Sequence, residues 1–236
     1  MSKLKGQVAI ITGAGRGIGA ATAISLAHQG VNVILAAKTS REIEIVATKV
    51  REIGCQALTV PTDVSKKEQV EALAAEAYQS FGRVDILVNN AGVAIHNPIP
   101  KIELSDWKTT LDVNLTGVFL CTQAVFGKMC LQKSGHIVNI SSTAGVKGYA
   151  GFSTYSASKF GVIGLTQSTY AEGKPHGVKA YAVCPGPTDT KMRRDNHVDD
   201  RSKLSQPEDI ADLIVFLLTQ PKSAHILETV ITTPLM

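Results

Sequence analysis

The sequence lacks the features that mark disulfide-stabilised and metal-binding proteins. It has four cysteines in 236 residues, and none of them forms a Cys-x-x-Cys pair or a cluster with histidine. Disulfide frameworks and metal sites usually show such spacings. A chain of this length can bury a sufficient hydrophobic core without either kind of crosslink. We therefore expect no metal site and four reduced thiols, at Cys55, Cys121, Cys130 and Cys184.

Long hydrophobic runs and concentrated charge are also missing. The first apolar run, residues 8–11, is far shorter than the roughly 7 to 15 residues of a signal peptide. No apolar run approaches the about 18 residues of a membrane span. The net charge is only +4, and the 24 basic residues are scattered along the chain. These absences predict a cytoplasmic protein that binds neither membranes nor nucleic acid.

Short apolar runs alternate with longer amphipathic segments along the chain. In residues 69–81, for example, Val70, Leu73, Ala74 and Ala77 recur with the period of a helix. This alternation is typical of repeated βαβ units. It predicts one doubly wound, Rossmann-type α/β domain over residues 1–236, with a mainly parallel sheet of about seven strands. The predicted strands are residues 8–11, 31–36, 57–60, 86–88, 136–140, 178–183 and 229–231.

A glycine-rich turn follows the first predicted strand and opens a helix. Its sequence is TGAGRGIG, and its spacing is G-x-x-x-G-x-G because Ile18 stands where G-x-G-x-x-G has its last glycine. Glycines let backbone N–H groups approach a pyrophosphate, which the helix N-terminus stabilises. The alternative is a turn that only packs a helix on the sheet, but the order of strand, turn and helix favours a dinucleotide site. The predicted binding residues here are Gly13, Gly15, Arg16, Gly17, Ile18 and Gly19.

The end of the second predicted strand indicates which nicotinamide cofactor is bound. An NAD site has a carboxylate there, roughly 20 residues after the glycines, which accepts a hydrogen bond from the ribose 2′-hydroxyl. This sequence has Ala36 and Ala37 at those positions, Lys38 directly after them, and Arg16 in the glycine turn. Two cations without an anion suit a 2′-phosphate, so NADPH is the predicted cofactor. The alternative is that both cations are solvated surface charges.

A tyrosine and a lysine four residues apart form the candidate catalytic pair. Tyr155 and Lys159 lie on a predicted helix, where such residues are neighbours, about 5–6 Å apart at Cβ. Free tyrosine, with a pKa of about 10, is a poor acid at neutral pH. An ammonium about 4 Å away lowers that pKa by up to roughly three units. We expect Lys159 to act on Tyr155 in this way, so that the phenol exchanges a proton with a carbonyl or alcohol oxygen.

Spacing alone does not identify the pair, because Tyr170 and Lys174 have the same separation. That second pair lies where glycine and proline end the helix, so we interpret it as a chance match. Tyr155 begins the helix, near the strand ends where an open α/β sheet keeps its ligand crevice. Ser142 follows the fifth predicted strand, and its hydroxyl is predicted to hold the substrate oxygen. Its neighbour Ser141 is interpreted as a turn or strand-end residue.

Together these motifs resemble the short-chain dehydrogenase/reductase family over roughly residues 5–220. The glycine spacing, the NNAG segment at residues 89–92 and the YSASK segment at residues 155–159 support the resemblance. It implies that Asp63 contacts adenine and that Asn114 steadies a water-linked proton path. The catalytic set it implies is Asn114, Ser142, Tyr155 and Lys159. Further cofactor-binding positions are Lys38, Asp63, Val64, Asn90, Ala91, Gly92, Tyr155, Lys159, Pro185, Gly186, Thr188 and Thr190.

The substrate side departs from the family pattern. The segment around residues 188–206, which is a longer helical flap in many relatives, is short here and dense in charge. We predict an exposed loop at residues 191–203 and a comparatively open site that admits a bulky or carrier-borne ketone. The alternative is a loop that is merely trimmed and solvated.

The resemblance also suggests an activity and an assembly. It implies NADPH-dependent reduction of a ketone to a secondary alcohol, with 3-oxoacyl thioesters as the first candidate substrates, as in bacterial 3-oxoacyl-carrier-protein reductases. The alternatives are a broad carbonyl or hydroxysteroid-type reductase and a non-catalytic NADP-binding sensor. The family also implies a homotetramer that packs through the helices predicted near residues 105–129 and 155–173.

Overall fold

Seven parallel strands form one sheet in the order β3-β2-β1-β4-β5-β6-β7 in the computed structural model, which describes residues 2–221 and 223–233. The strands are β1 (Val8–Thr12), β2 (Asn32–Ala37), β3 (Ala57–Pro61), β4 (Ile86–Asn89), β5 (Gly135–Ile140), β6 (Val178–Pro185) and β7 (Glu228–Ile231). The helices are α1 (Gly17–His28), α2 (Ser40–Ile53), α3 (Lys67–Phe81), α4 (Leu104–Leu111), α5 (Gly117–Gln132), α6 (Ser153–Gly173), α7 (Lys191–Asn196) and α8 (Pro207–Leu218). The predicted doubly wound α/β fold is confirmed. Its extent over all of residues 1–236 stays a prediction.

The inner strands β2, β1, β4, β5 and β6 are buried on both faces, which explains why they are nearly continuous apolar runs. The edge strands β3 and β7 are more exposed. Successive residues of β1 point to opposite faces. Val8 and Ile10 pack with α3 and α5, whereas Ala9 and Ile11 pack with α1, α2 and α8. Each face therefore has its own hydrophobic core, and helices cover both.

The order of strands reverses direction at β1. This strand pairs with β2 on one side and with β4 on the other, and all the pairings are parallel. In an open α/β sheet, ligands bind outside the carboxyl ends of the strands at such a switch point. The glycine turn after β1 and the segment after β4 meet there.

Two segments differ from the sequence prediction. The helix predicted over 105–129 contains a π-helical turn, Asp112–Thr116, between α4 and α5. The loop predicted over 191–203 is wrong, because α7 and a 3-10 turn at Arg201–Lys203 form there. Thr190 caps the start of α7 by accepting a hydrogen bond from the Arg193 N–H at 3.3 Å. Among the helices of the described residues, none has the length and apolar character needed to cross a membrane.

Candidate active site

A cavity of about 760 Å³ lies at the carboxyl ends of the strands. The glycine turn, the segment after β4, the end of β5, the start of α6 and α7 all contribute to its wall. Every site residue predicted from the sequence lines this cavity except Gly19, Asp63 and Asn114. The topology therefore brings together residues that are up to 177 positions apart, from Gly13 to Thr190.

The glycine turn is held in a conformation that side chains would block. Gly13 has a φ of 63°, and a Cβ on it would lie 2.9 Å from the Cα of Ala91. A Cβ on Gly19 would lie 2.4 Å from the carbonyl oxygen of Gly13, so Gly19 serves close packing beneath the cavity rather than its lining. The Asn90 side chain donates hydrogen bonds to the carbonyl oxygens of Thr12 (3.0 Å) and Gly13 (3.1 Å). The turn is thus fixed to the strand beside it.

Thr12 is a residue whose role the sequence analysis missed. Its hydroxyl oxygen accepts hydrogen bonds from the N–H groups of Asn90 (3.0 Å) and Ala91 (3.1 Å). It donates in turn to the carbonyl oxygen of Val88 at 3.3 Å. One buried hydroxyl therefore provides hydrogen-bond partners for the backbone groups where β4 ends. This contact holds the glycine turn after β1 and the segment after β4 in a fixed relative position.

The ribose end of the cavity differs from the charge pattern inferred from the sequence. Glu42, in the first turn of α2, lines the cavity, and its Oε1 lies 3.1 Å from Nη1 of Arg16. Lys38 pairs with Asp63, with Nζ 2.9 Å from Oδ2. The conclusion that no anion lies near these cations is therefore wrong. The carboxylate comes from the first turn of α2, which packs against the glycine turn, and not from the end of β2.

Asp63 lies beside the cavity rather than in its wall. Burial raises its pKa, but hydrogen bonds from Lys38 and Ser65 outweigh burial and hold the pKa below its usual value. Its side chain is occupied by the Ser65 N–H and hydroxyl, at 3.0 and 2.7 Å, as well as by Lys38. The contact with adenine that the family resemblance implies stays a prediction.

Asn114 lies in the π-helical turn and is fully buried. Its Oδ1 accepts the N–H of Val93 at 2.8 Å, and its Nδ2 donates to the carbonyl oxygen of Val93 (2.9 Å) and to the hydroxyl of Ser158 (3.1 Å). A Cβ on Gly92 would lie 3.4 Å from Asn114 Oδ1 and 3.8 Å from Lys159 Nζ, so these groups surround Gly92. Asn114 therefore joins the segment after β4 to the helix of Tyr155. Short π-turns of this kind are frequent at functional sites.

Tyr155 and Lys159 point to the cavity from the first two turns of α6. The ammonium nitrogen of Lys159 lies 5.6 Å from the centre of the Tyr155 ring and donates to the carbonyl oxygen of Ile140 at 2.7 Å. Lys159 is only 4% exposed. Ser142 stands at the end of β5, where its hydroxyl accepts the N–H of Ala144 at 3.1 Å. The three predicted side chains therefore share one wall.

The pKa values of the pair differ from the expectation. Burial raises the pKa of Tyr155 above its ordinary value, and the Ser142 side chain only partly offsets this. Burial also lowers the pKa of Lys159 to about 8. The expectation that Lys159 brings the phenol near neutral pH is thus wrong for the protein alone, because desolvation outweighs the attraction of an ammonium that already bonds to a carbonyl.

Ser141 has a larger role than that of a turn residue. Its hydroxyl donates to the carbonyl oxygen of Lys159 at 2.9 Å, and its N–H donates to the carbonyl oxygen of Val183 at 2.7 Å. A Cβ on Gly145 would lie 2.4 Å from the Ser141 hydroxyl, so glycine is required for this approach. Ser141 therefore anchors the backbone of Lys159 to the sheet.

The described residues fit a bound nicotinamide dinucleotide. Gly13 and Gly17 line the cavity, and their positive φ angles of 63° and 55° give the turn a backbone conformation that side chains rarely adopt. The turn leads into the N-terminus of α1, where backbone N–H groups favour a pyrophosphate. Arg16 and Lys38 supply cations farther along the same cavity.

The comparisons with known proteins agree with this geometry. The model of the short chain dehydrogenase family matches residues 7–201. The chain belongs to that family. It is an oxidoreductase, as its relatives are.

Individual relatives of this short-chain dehydrogenase cover nearly all of it. A 3-oxoacyl-[acyl-carrier-protein] reductase from Synechocystis is 40% identical, across 96% of this chain and 94% of the relative. An uncharacterised oxidoreductase of Staphylococcus aureus is 37% identical, across 97% of each. Among solved structures, levodione reductase has a TM-score of 0.92 at 30% identity, covering 97% of each chain. A metagenomic short-chain oxidoreductase in complex with NADP has a TM-score of 0.86 at 34% identity, covering 100% of each.

The substrate side of this short-chain dehydrogenase contains aromatic residues that the sequence analysis missed. The Phe152 ring stacks on that of His197, with centroids 5.5 Å apart, and lies 4.7 Å from the ring of His96. The Tyr149 hydroxyl is buried, and no hydrogen-bond partner reaches it within the described residues. Phe152, His197 and Tyr149 line the cavity. Single aromatic residues outside regular apolar patterns give no periodic signal, so the fold alone brings them together.

Ion pairs hold the segment 188–206 over the site. Asp189 accepts hydrogen bonds from Arg194 at 2.7 Å and from Arg201 at 2.9 and 2.7 Å. Arg193 pairs with Asp199 through two further bonds, at 2.6 and 2.8 Å. The charges that predicted an exposed loop thus pair with one another within a folded lid, and the side chains of Arg194 and Arg201 stay 46% and 66% exposed. Lys191, Met192, Arg193, Asp195, Asn196 and His197 of the lid line the cavity.

Proposed function

We propose that this protein reduces a ketone to a secondary alcohol with NADPH. The observation that supports this most strongly is the position of Tyr155, Ser142 and Lys159 on the wall of the cavity that the glycine turn also lines. The cofactor, when bound, supplies hydride to the carbonyl carbon. The protein must then hold the carbonyl oxygen and deliver a proton to it.

The side chains divide this work between them. Ser142 holds the carbonyl oxygen by a hydrogen bond. Tyr155 donates its proton to that oxygen; its raised pKa keeps the phenol protonated at neutral pH, which suits the reductive direction. The Lys159 ammonium, whose nearest acceptor is the Ile140 carbonyl, stabilises the phenolate that remains. Asn114 holds the Val93 and Ser158 segments around this group and is proposed to steady the proton path to Lys159.

NADPH is favoured over NADH by the cations at the ribose end. Arg16 and Lys38 both line the cavity beside the end of β2. Guanidinium and ammonium groups bind a phosphate by charge-assisted hydrogen bonds. A solved neighbour in complex with NADP, with a TM-score of 0.86, supports the same choice.

The first candidate substrate is a 3-oxoacyl thioester, in a reaction of fatty acid biosynthesis. The support for it is the relative from Synechocystis, a 3-oxoacyl-[acyl-carrier-protein] reductase 40% identical to this chain. An acyl chain would lie along Val93, Ala94 and Met192, which are apolar residues of the cavity wall.

Reduction of free ketones, by a broad carbonyl or hydroxysteroid-type reductase, is the second candidate. The likeness to levodione reductase and the wall formed by Tyr149 and Phe152 favour it. The lid cations Arg193, Arg194 and Arg201 are all paired with aspartates, which leaves less free positive charge for an acidic carrier.

Oxidation of NADPH in the presence of a substrate panel tests the proposal. The panel comprises 3-oxoacyl thioesters, diketones, quinones, aldehydes and steroids. We expect turnover with at least one ketone, and faster turnover with thioesters than with free ketones. Turnover with none of them, despite NADPH binding, would favour the non-catalytic sensor.

We also propose that the protein assembles as a homotetramer. Large apolar side chains remain exposed on α4, α5 and α6, among them Phe119, which is 44% exposed. Such side chains are typical of subunit interfaces when they form a contiguous patch. Sedimentation velocity should show about four times the 25.0 kDa chain mass, and a monomer would contradict this assembly. The exposed large apolar residues of these three helices are Leu104, Trp107, Phe119, Leu131 and Phe160.

A further inference from the structure

The ribose end of the cavity contains a carboxylate that the proposed choice of NADPH does not explain. Glu42 lines the cavity next to Lys38 and Thr39, so it faces the same space as the residues at the end of β2. A site for a 2′-phosphate gains nothing from an anion, whereas a site for the ribose 2′-hydroxyl uses one as a hydrogen-bond acceptor. Glu42 therefore has the chemistry of an NAD site, in a protein whose cations suit NADP.

The position of Glu42 depends on the glycine turn. A Cβ on Gly15 would lie 2.7 Å from the Cβ of Glu42, so α2 can approach the turn only because residue 15 is glycine. Glu42 Oε1 then lies 3.1 Å from Nη1 of Arg16. The guanidinium is thus already paired with a carboxylate before any phosphate arrives.

From these contacts we propose that Glu42 is a specificity-determining residue that limits the preference for NADPH and allows NADH to bind as well. With NADH, the Glu42 carboxylate keeps its ion pair with Arg16 and also accepts a hydrogen bond from the ribose 2′-hydroxyl. With NADPH, the 2′-phosphate competes with Glu42 for Arg16. The inference rests on the proposed function only in taking a nicotinamide dinucleotide as the ligand.

The size of the effect follows from the distance between the two anions. A phosphate and a carboxylate that bind the same guanidinium lie roughly 6 Å apart, and the 2′-phosphate has a charge of about −1.5 to −2. Their repulsion, screened by water, corresponds to a roughly fivefold to tenfold loss of affinity. Replacing Glu42 by a neutral side chain should therefore raise the affinity for NADPH by that factor and should not raise the affinity for NADH.

The test compares Glu42→Gln with a matched variant on the same helix. Glu44 also pairs with an arginine, Arg51, but it does not line the cavity. Glu44→Gln therefore makes the same change of charge outside the site. Dissociation constants for NADPH and NADH are measured by fluorescence titration of the wild-type protein and both variants, without substrate.

The wild-type protein should bind both cofactors. Glu42→Gln should bind NADPH about fivefold to tenfold more tightly and NADH no more tightly, while Glu44→Gln should match the wild type for both. An unchanged ratio of the two constants in Glu42→Gln, weaker NADPH binding, or undetectable NADH binding by the wild type would overturn the proposal. Because no turnover is measured, failure to reduce any ketone would contradict the proposed function and leave this result intact.

Discussion

Helix α6 has a tyrosine–lysine pair near each end, with the same spacing and with different surroundings. Near its start, Tyr155 faces the cavity, and Lys159 is buried with its ammonium on the carbonyl oxygen of Ile140. Near its end, the Tyr170 ring is stacked on His225 at 3.9 Å, and Lys174 lies exposed in the 3-10 turn that follows the helix. Of the two pairs, only the first lies at the cavity with a serine hydroxyl on the same wall, and only its lysine is shielded from water.

A four-residue spacing places a tyrosine and a lysine on one face of the helix, but the surrounding residues determine whether the two side chains can take part in proton transfer. Burial lowers the pKa of Lys159 to about 8 because water is excluded from its ammonium. The tyrosine of the second pair is covered by an imidazole ring, so no substrate oxygen can reach the face that His225 occupies. In each prediction below, one residue is replaced, and a residue of the same type in different surroundings serves as the control.

The largest effect is expected from removing the proton donor. Tyr155→Phe should lower kcat by about 10³-fold or more, since general acid catalysis contributes about 10² to 10⁴-fold and the phenyl ring has no proton to give. The dissociation constant of NADPH should stay within about threefold of the wild-type value. Steady-state kinetics and fluorescence titration measure the two quantities.

Tyr170→Phe is the control for that experiment. It removes the same hydroxyl at the other end of α6, where the ring is stacked on His225, and kcat should not change. Equal losses of kcat in the two variants would mean that the comparison of the two pairs is wrong.

The second prediction concerns how the free energy of unfolding depends on pH. The pKa of Lys159 is about 8 in the folded protein and 10.5 in the unfolded chain, so the unfolded chain binds the proton more tightly between these values. Stability therefore falls as the pH drops from 10.5 through 8, by roughly 3 kcal/mol in all. Lys159→Met removes this dependence, so wild type should gain that amount relative to the variant between pH 8 and pH 10.5. Urea unfolding at several pH values measures the gain.

Lys174→Met is the matched variant for the stability experiment. Lys174 is exposed, so its replacement leaves the desolvated ammonium of Lys159 in place. We expect its unfolding free energy to follow the wild-type curve across this pH range. A parallel pH dependence of wild type and Lys159→Met would contradict the assignment.

The third prediction separates the two adjacent serines. Ser142→Ala should lower kcat by about 10²-fold, the usual cost of losing one donor to a developing oxyanion. Ser141→Ala should instead lower stability by about 1 kcal/mol, because it loses the hydrogen bond to the Lys159 carbonyl, and it should lower kcat far less. Kinetics and urea unfolding of both variants decide the point, and the reverse pattern would exchange the two roles.

Much of the fold could be predicted from the sequence because its signals are local. Each inner strand contains a short apolar run and is buried on both faces, so pattern and structure coincide. The glycine turn and the YSASK segment are likewise continuous in sequence. Strand ends were placed within one or two residues for the same reason.

What could not be predicted depends on contacts between distant segments. Glu42 lies beside Arg16 only because α2 crosses the glycine turn, and the pairs of Asp189 form only when the lid folds. The charge density of residues 191–203 predicted an exposed loop without regular structure, since a sequence does not show which charges pair with each other. The pKa of Tyr155 was misjudged because desolvation depends on the whole surrounding structure.

The smallest effect is expected at the lid, which covers the Tyr155 end of α6 as His225 covers the other end. Both oxygens of Asp189 accept hydrogen bonds from arginines, so Asp189→Asn leaves Arg194 and Arg201 without their counter-charge. We expect KM for the ketone to rise about threefold to tenfold, because the loosened segment no longer holds His197 against Phe152. The dissociation constant of NADPH should not change. Asp200→Asn, which removes only an exposed pair with Lys203 in the same lid and lies outside the cavity wall, should leave KM unaltered. An equal rise would mean that lid charge, rather than its anchoring at Asp189, governs access to Tyr155.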